Sequence, residues 1–174
     1  VFFFVGTVPK TDIVKGKVEL NEQGYIIANE RMETSVPGVY AAGDARDKYL
    51  RQVITAASDG AIAAFAAEKY LAEEEGFKSQ VLNTAKPVMV AFWAPQVEAS
   101  IAAVSQLEKI ADKIGDSVKL VKMDTYRNER VAKRYGIEEI PSVLFFNKGE
   151  VADKISGGFS EEAVISQLNS LNNK

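Results

Sequence analysis

Two clusters in this 174-residue chain combine residue types and spacing suited to chemistry. In the first, Gly43-Asp44 directly follows the apolar run Val39-Tyr40-Ala41-Ala42, and Arg51-Gln52-Val53 opens an alanine-rich segment. An acid placed right after a glycine at the end of a parallel strand sits at the carboxyl edge of an α/β sheet, where ligands bind. Its carboxylate can accept a hydrogen bond from a ligand hydroxyl. The start of the following helix offers amides and the positive end of its dipole to an electron-rich group. A lone Gly-Asp equally serves as a turn or cap, and an arginine near a helix start equally serves as a solvated charge. The second is Trp93, Pro95 and Val97, three apolar side chains close together in the sequence. Those side chains suit docking of a peptide rather than bond-making, provided they are exposed; a tryptophan that is merely core is the alternative.

Composition narrows the chemistry further. The chain has no Cys and no His, hence no imidazole base, no thiolate nucleophile, no disulfide and none of the usual zinc ligands. No catalytic residue and no metal site is expected within it. Lys and Arg number 21 against 24 Asp and Glu, for a formal net charge of -3, which offers nucleic acid no basic face. Hydrophobic residues make up 47% and charged residues 26%, the balance of an ordinary globular protein. The longest candidate for a span, Ala61–Ala67, is alanine-rich and bounded by Asp59 and Glu68. It is far short of the roughly 20 residues that span a bilayer, so no membrane partner is expected.

The elements that position these clusters fall into two dissimilar halves. Val1–Gly6 reads as a buried strand running into a glycine turn. A strand apolar on both faces needs neighbours on both sides, so the expectation is that the chain belongs to a longer polypeptide. Lys17–Leu20 and Tyr25–Ala28 read as short strands around an Asn21–Gly24 turn, and Val39–Ala42 as a strand ending at Gly43-Asp44. From Arg51 to Ala72, small residues at helical spacing predict a helix packed closely on a sheet. The polar stretch 73–86 lacks a period and reads as a linker between domains 1–72 and 87–174.

The second half reads strand, helix, strand, short helix, strand, strand, helix. Pro87–Trp93 is an apolar strand, and Val97, Ile101, Val104, Leu107, Ile110, Ala111 and Ile114 form one helical stripe ending at Gly115. Val118–Met123 and Arg130–Tyr135 are the next strand and helix. Ser142–Phe146 and Val151–Ser156 flank the turn Asn147-Lys148-Gly149-Glu150. Ser160 caps a last helix whose Val164, Leu168 and Leu171 face inward.

The run Thr34-Ser35-Val36-Pro37-Gly38-Val39-Tyr40-Ala41-Ala42-Gly43-Asp44, followed by Arg51-Gln52-Val53, resembles the C-terminal FAD-binding segment of thioredoxin reductases. Val5-Gly6-Thr7-Val8-Pro9-Lys10-Thr11 is similar to the strand and turn that precede that segment. The resemblance implies that Gly43 lets the cofactor approach the backbone and that Asp44 accepts a ribityl hydroxyl. It also implies that Arg51, Gln52 and Val53 bring the helix start to the flavin pyrimidine ring. No G-x-G-x-x-G can be written here. In the resembled family that turn, the NADPH-binding domain for the electron donor and the redox cysteine pair lie upstream. The chain by itself is therefore expected not to retain FAD.

Pro87–Trp93, the helix after it and Tyr135-Gly136-Ile137-Glu138-Glu139-Ile140-Pro141-Ser142-Val143-Leu144-Phe145-Phe146 resemble a thioredoxin domain, with a βαβαββα fold. Ile140-Pro141 corresponds to the family's cis-proline turn. Where that family carries Cys-Gly-Pro-Cys, the residues here are Val97-Glu98-Ala99-Ser100, and Ala91 replaces the buried acid. Lys122 matches the lysine that accompanies that acid; a solvated strand-end lysine is the alternative. The site at Trp93, Val97, Ser100 and Pro141 is thus expected to be redox-silent.

The expected architecture is α/β, a partial Rossmann-like FAD-binding segment followed by a thioredoxin fold. The resemblance implies an FAD-dependent disulfide reductase as the parent, in the cytoplasm. Unpaired sheet edges in a piece of it would be covered by another copy, so a homo-oligomer is expected. Its partners would be the remainder of the reductase and a protein disulfide or peptide at the Pro141 groove. A non-catalytic docking module is the alternative.

Overall fold

The structure is a computed structural model describing Val1 and residues 6–172. The chain divides into two compact units, Val1–Ala72 and Glu73–Lys174. The expected strand at Val1–Gly6 falls mostly outside the described residues.

The first unit is made of turns, isolated β-bridges and most of helix α1 (Val53–Phe77). Asn21 organises its first turn. The Asn21 Oδ1 accepts from the amides of Gln23 at 3.0 Å and Tyr25 at 2.9 Å, the local bonding that makes Asn a turn residue. Asn29 repeats the device, accepting from the amides of Arg31 and Glu33. The expected strands shrink to single bridges, Leu20 with Ile26, Ile26 with Arg46 and Glu33 with Tyr40. The physical reason is pairing: asparagine side chains take the amides that a ladder would need, and Val39 and Ala42 remain exposed. A small core of Val18, Tyr25, Met32, Ala41 and Ala66 is buried beneath these turns.

The second unit is a four-stranded sheet in the order β2-β1-β3-β4, formed by β1 (Val88–Trp93), β2 (Lys119–Asp124), β3 (Ser142–Asn147) and β4 (Glu150–Ser156). β1 pairs parallel to β2 and antiparallel to β3, and β3 pairs antiparallel to β4. Both central strands read as unbroken apolar runs because both faces are covered. Met89, Ala91, Val143 and Phe145 meet Leu107 and Ile110 of α2 (Glu98–Ile114) and Val164, Leu168 and Leu171 of α4 (Glu161–Asn172). Val88, Val90, Phe92, Leu144 and Phe146 form the other core with Val131 and Ala132 of α3 (Glu129–Arg134) and with Phe77 and Val81.

Two expectations need correcting. The stretch read as a linker is helical through residue 82. α1 continues to Phe77 and a π-helical turn spans Lys78–Leu82, closed by the Asn83 amide on the Lys78 carbonyl at 2.8 Å. Phe77 and Val81 are buried there, so two anchors hidden among polar residues fix the segment. Glu73 adds a polar tie: its carboxylate accepts from the Val131 amide at 3.0 Å and Arg130 Nη1 at 3.3 Å, at the start of α3. The α2 stripe holds at Val104, Leu107, Ile110, Ala111 and Ile114 but differs from the expected one in its first turns. Ser100, Ala103, Leu107 and Ile110 are buried, whereas Ile101 is 43% exposed. Small side chains at the first turns let the helix enter close to the sheet.

Candidate functional site

In the first unit the Gly43–Ala45 turn lies against α1. Gly43 has φ +79, and a Cβ built there would stand 3.6 Å from the Ala56 Cβ. Only glycine takes that backbone conformation without strain, which explains its place before Asp44. The Gly43 amide donates to Asp59 Oδ2 at 3.0 Å. The same carboxylate pairs with Lys48 Nζ at 2.8 Å and Arg46 Nη1 at 3.5 Å. Burial acts to raise the Asp59 pKa, but the Lys48 bond, the Gly43 amide and the Arg46 charge outweigh it and hold the pKa below its ordinary value. Arg46 also reaches Met32 Sδ.

The expected cofactor residues sit around this turn. Asp44 is exposed, and its carboxylate makes no hydrogen bond among the described residues. Arg51 is half-buried, with its guanidinium 3.9 Å above the Tyr25 ring, rather than a free solvated charge. Its Nε is buried without a hydrogen-bond partner. Gln52 precedes α1 as its cap: its amide donates to Thr55 Oγ1 at 3.1 Å, and its carbonyl accepts the Ala56 amide at 2.9 Å. Val53 and Ile54 open the helix with exposures of 88% and 76%. An exposed acceptor, a close-packed glycine and an orphaned guanidinium donor beside a helix start form a donor and acceptor set that fits a hydroxylated, electron-rich cofactor.

In the second unit the cluster forms at the end of the sheet where β1 stops and β3 begins, since Phe92 pairs with Ser142. Trp93 is half-buried, and its carbonyl accepts the Thr125 amide at 2.9 Å. Val97 is the extended N-cap of α2. Ser100 is fully buried, and its hydroxyl lies 2.9 Å from the Ala94 carbonyl and 2.7 Å from the Val97 carbonyl. Ala91 is 2% exposed and packs in the core shared with α2 and α4. Lys122 pairs at 2.8 Å with Glu108 on the surface, the ordinary setting of a strand lysine. The Ile140–Pro141 bond is cis, as the resemblance implied. The Pro141 carbonyl accepts the Gly157 amide at 2.9 Å, and Ser142 Oγ donates to the Glu139 carbonyl at 2.7 Å. Val97, Ile140 and Pro141 are half-buried and Pro95 is exposed.

Sequence reasoning missed Asp59, Lys48 and Thr55. An acid three residues after Ala56 and four before Ala63 was the available signal, because a carboxylate that shares the buried side of a helix with small residues must find partners. Among the described residues, no group of His, Cys, Asp and Glu could hold a metal ion, and no helix is long and apolar enough to cross a membrane.

The second unit defines a thioredoxin-fold α/β domain. The family model described as Thioredoxin matches residues 68–170, so the chain belongs to the thioredoxin family. The model described as Pyridine nucleotide-disulphide oxidoreductase matches residues 1–60. The chain is 58% identical over 71 residues to a thioredoxin reductase of Peptoclostridium acidaminophilum, covering 41% of the chain and 22% of that relative. It is 28% identical over 210 residues to a bifunctional thioredoxin reductase/thioredoxin of Mycobacterium leprae, covering 97% of the chain and 46% of the relative. An NADPH-dependent thioredoxin reductase 3 of Arabidopsis thaliana is 28% identical over 194 residues, covering 90% of the chain and 37% of the relative. The chain thus spans less than half the length of each of these relatives. The Mycobacterium leprae and Arabidopsis thaliana relatives match across both the reductase-type segment and the thioredoxin domain of the chain.

Proposed function

We propose that this chain contributes the flavin-facing segment and a redox-silent thioredoxin-fold domain to an FAD-dependent disulfide reductase. The observation that carries the reading is the Gly43–Asp44 turn packed against the start of α1. Bound there, FAD would supply electron transfer between a nicotinamide donor such as NADPH and a disulfide. The chain's own residues bind and orient. Asp44 would accept a ribityl hydroxyl, Gly43 would admit the cofactor to the backbone, and the α1 start with Arg51, Gln52 and Val53 would hold the pyrimidine end of the flavin. The G-x-G-x-x-G turn, the donor site and the redox cysteines belong to the remainder of the reductase, which is the chain's first partner. The protein would work in the cytoplasm as a homo-oligomer, without nucleic acid or membrane.

The second unit takes no part in thiol–disulfide exchange on this reading, because that reaction needs a thiolate and the chain holds no cysteine. The test compares the purified 174-residue chain with the full-length polypeptide by flavin absorbance on gel filtration. FAD co-eluting with the full-length protein and absent from the short chain is expected. Stoichiometric flavin on the short chain would overturn the division of the site.

A docking role for the second unit is the other reading, favoured by the half-buried Trp93, Val97, Ile140 and Pro141 at one end of its sheet. An extended peptide or a protein disulfide segment would lie there without being reduced. Trp93→Ala decides it: loss of peptide binding at an unchanged melting temperature supports docking, while lowered stability with no peptide bound by the wild type refutes it.

A further inference from the structure

Asp59 is 8% exposed and sits three residues beyond Ala56, the residue that a Gly43 Cβ would approach. Its carboxylate holds both ends of the loop that displays Asp44. Oδ2 accepts the Gly43 amide at 3.0 Å on the way into the turn. On the way out, Lys48 reaches Oδ2 at 2.8 Å and Arg46 reaches Oδ1 at 3.5 Å. Asp44 itself is exposed, with no hydrogen bond of its own among the described residues. Its position is therefore set by the backbone on either side, and that backbone is tied to Asp59.

We infer that Asp59 is a positioning residue: it fixes the Gly43–Asp44 turn to α1 and so places the Asp44 carboxylate relative to the helix start. The inference rests on the flavin reading of that turn. A burden carried by one carboxylate explains why a charge is kept on a helix face otherwise built of Ala56, Ala63 and Ala66. It also explains the two cations directed at it: a buried carboxylate needs its charge balanced and its lone pairs filled. Lys48 and Arg46 are the charged groups that face it, with the Gly43 amide as the third donor.

Two measurements test this. In the 174-residue chain, amide hydrogen exchange at Gly43 should be slow and should quicken about tenfold or more in Asp59→Ala, the loss of one charge-assisted hydrogen bond. Asp59→Asn keeps an acceptor for that amide but loses the ion pairs, so its exchange should fall between the two. In the full-length polypeptide, FAD affinity should drop about tenfold in Asp59→Ala, with Asp59→Asn again intermediate. Unchanged Gly43 exchange in Asp59→Ala overturns the inference, as does a freed Gly43 amide with undiminished FAD affinity. Should Asp59→Ala fail to fold, Asp59→Asn decides both arms. A full-length wild type that binds no FAD would instead remove the flavin reading, and Gly43 exchange would still decide whether Asp59 holds the turn.

Discussion

Ser100 Oγ accepts the Ala94 amide at 3.1 Å, and its single proton faces the Val97 carbonyl at 2.7 Å and the Ala94 carbonyl at 2.9 Å. The loop between β1 and α2 is thereby closed from inside by one hydroxyl, at the position where the resembled thioredoxins carry their second cysteine. Ser100 and Ala94 are both fully buried, so water does not replace what the hydroxyl provides.

Ser100→Ala should therefore destabilise the second unit. It leaves the Ala94 amide without an acceptor, a loss of about 1–3 kcal/mol for a buried donor. Urea unfolding followed by Trp93 fluorescence measures it. A midpoint equal to that of the wild type would show that the loop holds without the hydroxyl.

The same geometry predicts that a dithiol pair can be built at the start of α2. The Ser100 amide donates to the Val97 carbonyl at 2.9 Å, so the two positions span the first turn of α2. A thiol at Val97 would sit at the helix N-terminus, where the dipole lowers its pKa below the ordinary value of about 8.5. The wild-type chain should give no acceleration of insulin reduction by dithiothreitol. The double variant Val97→Cys/Ser100→Cys should lose both free thiols on mild oxidation and accelerate that reduction. Thiols still titratable after oxidation would refute the proposed proximity.

Acid should expose the charge network of the first unit. The folded pKa of Asp59 lies below its ordinary value of 3.8, because Lys48, the Gly43 amide and Arg46 outweigh the opposing effect of burial. A lowered folded pKa means that the unfolded chain takes up the proton first. The stabilisation is complete above pH 3.8 and is lost as pH falls through that value toward the folded pKa. Unfolding free energies between about pH 5 and 2 should fall more steeply for the wild type than for Asp59→Asn, whose side chain does not titrate. Parallel curves would show that Asp59 contributes no acid sensitivity.

What the sequence disclosed and what it hid follow from how each residue meets its surroundings. The apolar runs Val88–Phe92 and Val143–Phe146 announced central strands because both of their faces are covered. Val164, Leu168 and Leu171 announced the buried face of α4 for the same reason. The α2 stripe was misplaced at Ile101 because Ser100 and Ala103, small enough for close approach, took the buried side instead. Phe77 and Val81 were hidden in a polar stretch whose period is read from only two anchors. In the first unit, asparagine turns at Asn21 and Asn29 replaced the expected strand pairs, since their side chains bind backbone amides locally. The resemblance pointed to the residues around Asp44 and not to Asp59. Its partners Gly43, Arg46 and Lys48 precede it by more than ten residues, and no local pattern links them.

The turn between β3 and β4 makes the sharpest steric prediction. Gly149 has φ +82, and a Cβ built on it would lie 2.7 Å from the Leu82 carbonyl oxygen, inside any normal contact distance. That oxygen belongs to the backbone of the π-helical turn whose Val81 is fully buried, so it cannot swing aside like the end of a flexible side chain. Gly149→Ala must then strain its own backbone and displace the Leu82 segment. The expected cost exceeds about 1 kcal/mol, the limit for alanine at a compatible site. Gly149→Asn shares the larger side chain but tolerates the left-handed backbone better, so comparing the two variants separates strain from collision. Equal losses in both would assign the cost to contact with Leu82, and a markedly smaller loss in Gly149→Asn would assign it to backbone strain. Thermal unfolding of either variant at wild-type temperature would show that the hairpin does not press on that turn.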